Sequence, residues 1–303
     1  MFMKRREFIH KTTLSSVMVG VSTLPLMSFN SSKTKHITIL HTNDTHSHID
    51  PFEADHPKNP NKGGVARRAN LVSAIRKENP NTLLLDAGDI FQGTPYFNYY
   101  GGELELKLMS MMKYDASTLG NHEFDNGLEG ILAPLPHATF DFINSNYDFS
   151  NTILDGYIKP YKIFTVDGIK IGIFGLGVEL DGLVSKANYK ETVYLDPVEI
   201  AQDMSRLLKE DKKCDLVICL SHLGYQYDTD KISDLKLAQQ TRNIDLIIGG
   251  HTHTFLDKPT IVRNLDDKEV LINQVGCYGI NLGRIDFYFE EETTSHKGVS
   301  IEV

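Results

Sequence analysis

Apolar residues fall along this chain in short bounded runs. Six of these runs have strand length and β-branched character: His36–His41, Thr82–Asp86, Ala116–Leu119, Lys170–Leu176, Asp215–Leu220 and Asp245–Ile248. Between them, helical patterns cover Val65–Lys77, Glu103–Lys113, Pro197–Lys209 and Ile232–Thr241. Strand and helix therefore alternate as in βαβ units, which predicts a parallel or mixed sheet covered by helices. Asp167-Gly168, between Tyr161–Val166 and Ile169–Phe174, predicts a type I′ hairpin. Residues Thr260 to Glu290 read as further hairpins. No internal repeat or low-complexity linker interrupts the chain after Phe29, so residues 31–303 are expected to form a single domain.

The first thirty residues break this pattern. A basic stretch, Met1 to Lys11, precedes a weakly apolar run from Thr12 to Phe29 rich in Ser, Thr, Val and Leu. That is the layout of a signal peptide, and Arg5-Arg6-x-Phe8-Ile9 resembles the twin-arginine consensus. Export, with a periplasmic destination, is the expectation for residues 1–30. The run falls short of the ~20 strongly apolar residues that a spanning helix needs, so no stable membrane anchor is expected.

Composition narrows the classes further. With 41% hydrophobic and 23% charged residues and no Trp, the 303-residue chain reads as an ordinary globular protein. Its formal charge is −9, and the segment 1–30 carries four cations against one acid. The remainder is therefore more acidic still, which argues against nucleic acid as a partner. A phosphate-bearing substrate stays compatible, because bound divalent cations reverse the potential locally. Three cysteines, Cys214, Cys219 and Cys277, are too few and too irregular for a disulfide framework or zinc knuckle. They are read as small core residues, with Cys214 and Cys219 on opposite faces of one strand.

The residues able to bind metal sit just past predicted strand ends. Asp44 and His46 follow the first strand, Asp89 the second, and Asn121 and His122 the third. His222 ends the run Ile218-Cys-Leu-Ser-His222, and His251 and His253 follow Ile247-Ile-Gly-Gly. Open α/β sheets place their sites at such strand ends. Singly these motifs carry little weight: Asp-x-His is common by chance, and a lone histidine is more often a hydrogen-bonded structural residue. Five in fixed order, several cushioned by Gly88, Gly120 or Gly250, point to one shared site. Imidazoles mixed with carboxylates suit Zn²⁺, Mn²⁺ or Fe, whereas an all-oxygen shell would suit Mg²⁺ or Ca²⁺.

These residues resemble the calcineurin-like metallophosphoesterase family, whose pattern runs D-x-H, G-D, G-N-H-[DE], H and G-H-x-H. The words Leu40-His-Thr-Asn-Asp-Thr-His46 and Gly120-Asn-His-Glu-Phe-Asp-Asn-Gly127 look more narrowly like the N-terminal catalytic domain of 5′-nucleotidases. The resemblance implies a four-layer α/β/β/α fold and a dinuclear centre. By it, Asp44, His46, Asp89 and His253 hold one metal, Asp89, Asn121, His222 and His251 hold the other, and Asp89 bridges. His122 would face the phosphoryl group and Asp125 would orient it. Glu123 is expected to support its loop, and His41 and His48 to hydrogen-bond a ligand or loop backbone. In the resembling enzymes a C-terminal domain holds the base and ribose, and no such domain is legible here. That leaves a separately encoded partner, a promiscuous phosphomonoesterase, or action on another ester. A cyclic-nucleotide phosphodiesterase, a UDP-sugar hydrolase, a sulfur-oxidation hydrolase and a non-catalytic metal-binding docking subunit are the alternatives. The aromatics between Phe91 and Tyr100 either stack on a base or pack the following helix.

Overall fold

Side-chain alternation along the strands decides the layers. The computed structural model describes residues 34–291 and 293–303; the expected signal segment lies outside them. In chain order the strands are β1 (Lys35–Thr42), β2 (Thr82–Asp86), β3 (Ala116–Ser117), β4 (Asp141–Phe142), β5 (Tyr147–Asp148), β6 (Tyr161–Val166) and β7 (Ile169–Leu176). They continue with β8 (Val193–Tyr194), β9 (Leu216–Ser221), β10 (Leu246–Gly249), β11 (Thr260–Arg263), β12 (Glu269–Asn273), β13 (Asn281–Phe289) and β14 (Thr294–Glu302).

Two six-stranded sheets result, ordered β14-β13-β1-β2-β3-β4 and β11-β12-β10-β9-β7-β6, beside a small β5–β8 pair. The inner strands β1 to β4 run parallel, as do β7, β9, β10 and β12, while β6, β11, β13 and β14 pair antiparallel. The sheet content is therefore mixed, as expected. The split into two sheets is what the pattern did not contain, because an apolar run shows that a strand is buried but not which sheet it joins.

Ile37 and Ile39 of β1 and Leu83 and Leu85 of β2 meet Ile171 and Ile173 of β7 and Ile218 and Leu220 of β9 in one core between the sheets. The alternate residues face outward onto helices. Leu40 and Leu84 pack on Val72 and Ile75 of helix Val65–Glu78 and on Leu106 and Met109 of helix Glu103–Met111. Val217, Cys219 and Ile247 pack on Ala201 of helix Pro197–Arg206 and on Leu237 and Ala238 of helix Asp234–Gln240. Helix, sheet, sheet and helix thus form the four layers. Among the described residues, no helix is long and apolar enough to cross a membrane.

Local chemistry explains the boundaries. Asp167 and Gly168 both adopt positive φ, 50° and 75°, as a type I′ turn requires, and β6 and β7 pair around them. Asp196 caps helix Pro197–Arg206 by accepting the Val198 and Glu199 amides, and Pro197 opens it. All three cysteines are buried and free. Cys214 and Cys219, however, share the helix-covered core rather than lying on opposite faces. The strand begins only at Leu216, so the period of two does not reach back to Cys214.

Candidate metal centre

Five strand ends converge on one place, three from the first sheet (β1, β2, β3) and two from the second (β9, β10). The expectation of a single sheet edge is thus replaced by a seam between two sheets. Close approach there depends on glycine. A Cβ on Gly88, whose φ is 89°, would stand 2.6 Å from the Gly120 nitrogen, and one on Gly120 would stand 2.2 Å from Asp89 Oδ1. Asp44, His46, Asp89, His251 and His253 themselves adopt positive φ. Non-glycine residues rarely do so, and such strain concentrates at functional sites.

The donor atoms form three overlapping groups: Asp44, His46 and His253; His46, Asp89 and His122; and Asp89, His222 and His251. Within them, His253 Nε2 lies 3.3 Å from Asp44 Oδ1, and His222 Nε2 lies 3.0 Å from Asp89 Oδ2. His46 Nε2 is 3.9 Å from both Asp44 Oδ1 and Asp89 Oδ2. Asn121 Oδ1 meets His251 Nδ1 at 2.8 Å. Asp89 belongs to two of the three groups. All seven residues named from the sequence as ligands are therefore neighbours, and His122 stands against them.

The set fits a cation. His222 Nδ1 donates to the Ala87 carbonyl at 2.7 Å and His46 Nδ1 faces the Phe91 carbonyl at 3.3 Å, so each ring turns the lone pair of its Nε2 inward. His222 Nε2 is fully buried and makes no directed hydrogen bond despite the nearby carboxylate. His46 Nε2 and His253 Nε2 face each other at 3.0 Å, where two lone pairs repel unless a proton or cation stands by. Carboxylates and imidazoles are the donors that divalent ions of the zinc and manganese type accept.

Electrostatics agree. Burial opposes the charge of His222, yet the Asp89 and Asp44 carboxylates outweigh it and push the imidazole up to about 10. The hydrogen bond to Asp44 likewise pushes His253 up to about 10. Burial pushes Asp89 upward, but His222 and His46 hold it well below the usual carboxylate range. Burial, with His222 behind it, takes His251 down to about 3. The carboxylates thus favour protons on His222 and His253, at the lone pairs for which a cation would compete.

His122 Nδ1 stands 2.9 Å from Asp125 Oδ2, which raises the imidazole above its ordinary range. Asn188 holds the Asp125 carbonyl in turn. Glu123 touches no candidate donor atom. Its buried carboxylate accepts four backbone N–H groups, from Asp89 (2.9 Å), Ile90 (2.7 Å), Phe91 (3.2 Å) and Gly120 (2.6 Å). Burial and the Asp89 charge push it up to about 7, against the pull of those donors. Asp86, pushed up to about 6 by burial, accepts from Thr42, Gly88 and Ser117 and so ties β1, β2 and β3 together at their last residues.

Other expectations are corrected. His41 hydrogen-bonds the Asn273 side chain of β12 rather than a ligand or loop, because alternation along β1 points it, like Ile37 and Ile39, at the facing sheet. Burial takes it down to about 3. The His48 ring packs between Phe52 and Tyr278 instead of bracing a ligand. Phe91 and Phe97 are buried in the helix-side core, Tyr96 bonds Asp50, and Tyr99 and Tyr100 are exposed.

Three further residues support the site without a sequence motif to mark them. Asn43 donates to Asp44 Oδ2 at 2.6 Å and to the Gly276 carbonyl at 2.6 Å. Gln274 donates to the Gly250 carbonyl at 2.6 Å and accepts from Thr252. The Tyr278 amide donates to the Asp44 carbonyl at 2.7 Å, and its ring packs tilted against His46 and edge-on to His253. Gln274 and Tyr278 lie in a segment whose only legible signal is hairpin pattern; the positive φ of Tyr278, 63°, is a tertiary feature.

Comparison with known proteins places this geometry. The calcineurin-like phosphoesterase model matches residues 37–255. The trifunctional nucleotide phosphoesterase protein YfkN of Bacillus subtilis is 36% identical over 288 residues, covering 84% of this chain and 18% of that protein. The 5′-nucleotidase of Rattus norvegicus is 35% identical over 293 residues, covering 89% of this chain and 49% of that enzyme. Among solved structures, the 5′-nucleotidase precursor from Thermus thermophilus superposes with a TM-score of 0.81 at 35% identity, over 89% of this chain and 55% of that one. The chain thus spans about half the length of such nucleotidases.

Proposed function

Because the chain belongs to the calcineurin-like phosphoesterase family, whose model matches residues 37–255, we propose that it is a dinuclear-metal phosphomonoesterase of 5′-nucleotidase type, transferring the phosphoryl group of a nucleotide to water. The observation that carries this reading is the His122–Asp125 pair, 2.9 Å apart, standing beside donor groups that share Asp89. Asp44, His46, Asp89 and His253 would hold one divalent ion, Asp89, Asn121, His222 and His251 the other, with Zn, Mn and Fe as the candidates. When bound, such ions supply Lewis acidity and a lowered pKa for water.

The protein's own groups do the rest. Asp125 accepts from His122 Nδ1–H and keeps the imidazole charged, leaving Nε2–H to protonate the departing alkoxide. Asp89, between the two donor groups, sets their spacing, and Glu123 fixes the Asp89 and Gly120 loops against each other. Fully buried carbonyl acceptors, Ala87 for His222 above all, orient the imidazoles. A docking subunit that merely binds metal has no use for the His122–Asp125 pair, which favours catalysis over that alternative.

Substrate binding is the part we assign to something beyond residues 34–303, a separate nucleotide-binding domain or protein, since relatives about twice as long are named nucleotidases. Residues 1–30 we read as a twin-arginine signal for export, supported by Arg5-Arg6-x-Phe8-Ile9 and by the precursor named among the relatives.

The test is a side-by-side assay of the Mn²⁺- or Zn²⁺-loaded protein on AMP, UDP-glucose, cyclic 2′,3′-AMP and an aryl phosphate. Preference for AMP is the expected outcome. Turnover of UDP-glucose or the cyclic ester alone transfers the reading to those hydrolases, and inactivity on all four ends it. His122→Ala is expected to lower kcat by roughly 10²–10⁴ with metal content unchanged; loss of metal in that variant would remove His122 from its assigned role.

A further inference from the structure

Behind the loop that carries His46 lies a small cavity unused by the proposed chemistry. Thr45 and Ser47 border it from the loop, Arg68 from helix Val65–Glu78, and Glu105 and Met109 from helix Glu103–Met111. It offers about 10 Å³ to the centre of a water-sized sphere, close to the least that one water molecule requires. Arg68 and Glu105 are each only 4% exposed. Among the described residues, Arg68 Nε, both Glu105 carboxylate oxygens and Ser47 Oγ are buried without a hydrogen-bond partner. Four such atoms on three side chains around one cavity are far from the usual near-complete satisfaction of buried polar groups.

We propose that this cavity is an internal hydration site holding one water molecule, which accepts the Arg68 Nε–H and donates to the Glu105 carboxylate, with Ser47 Oγ completing its shell. The charges select the occupant. A cation would face the Arg68 guanidinium and an anion the Glu105 carboxylate, whereas a neutral molecule with two donors and two acceptors satisfies both. The water would link the loop to two helices at the point where His46 and Ser47 hold positive φ, 47° and 54°, and need support from outside the loop. The site requires neither metal nor substrate, so it stands or falls separately from the proposed hydrolase.

Two measurements decide it. A high-resolution crystal structure of the metal-loaded protein is expected to place one solvent peak within hydrogen-bond reach of Arg68 Nε and Glu105; a direct Arg68–Glu105 ion pair with no solvent between them overturns the proposal. Urea denaturation of Arg68→Met, Glu105→Leu and the double variant reads the coupling. Each single change strands one buried charge and lowers the midpoint, while the double change removes both charges and recovers most of the loss. Losses that simply add in the double variant mean that the two groups share no site. If a single variant does not fold, recovery of a cooperative transition in the double variant carries the same information, and failure to recover it counts against the site.

Discussion

Glu123 spends its whole acceptor capacity, about four lone-pair sites, on four backbone amides of two loops. Glu123→Gln keeps the shape but turns an NH₂ group toward two of those amides. Because the Asp89 and Asn121 loops then lose their common anchor, Mn²⁺ affinity by titration calorimetry is expected to fall about 10–100-fold, the usual effect of disturbing groups that orient ligands. Glu123→Asp, one methylene shorter, is expected to recover little. Unchanged affinity in the Gln variant would reduce Glu123 to a local structural role. The sequence placed Glu123 beside its histidine and assigned it to the loop; that it also grips the Asp89 loop follows from a contact across 34 residues, which no local pattern encodes.

At the scale of elements, β1 is held between β2 and β13, and the pairing with β13 carries a polar lock. Asp286 accepts from Thr38 Oγ1 (2.6 Å), faces His36 Nε2 (2.8 Å) and accepts from Arg284 Nε (2.9 Å). Burial opposes its charge, but the Thr38, His36 and Arg284 contacts prevail and hold it below the usual carboxylate range. A depressed folded pKa contributes stability that is present above the unfolded value, about 3.9, and is lost as pH falls through the folded one. Asp286→Asn is thus expected to cost about 1–3 kcal/mol at pH 7, with the wild-type and variant urea midpoints converging in acid; a gap that persists at low pH would assign the loss to packing. Strand runs such as Thr82–Asp86 were readable to the residue because they are buried on both faces. Ala116–Leu119 was readable only in part: β3 ends at Ser117, where the chain turns toward the metal loops.

For the whole molecule, the donor cluster means that folding and metal binding are linked. Stripping metal with a chelator is expected to lower the melting temperature and abolish activity, and Mn²⁺ at about 100 times its Kd to restore about 2.7 kcal/mol, roughly 5–10 °C for a chain of this size. A melting curve indifferent to chelation would count against a resident ion. The order of the main strands and helices, the candidate donors, and the family resemblance that pairs His122 with Asp125 were legible in the amino-acid sequence, because each rests on residue type and short-range spacing around successive strand ends. Tertiary structure alone decided how those ends divide between the two sheets that the resemblance implied, three from one and two from the other, that His41 belongs to the space between them, and that Asn43, Gln274 and Tyr278 stand behind Asp44 and the histidine loop. Those are contacts between residues up to 234 positions apart, set by how two covered sheets pack rather than by any periodicity along the chain.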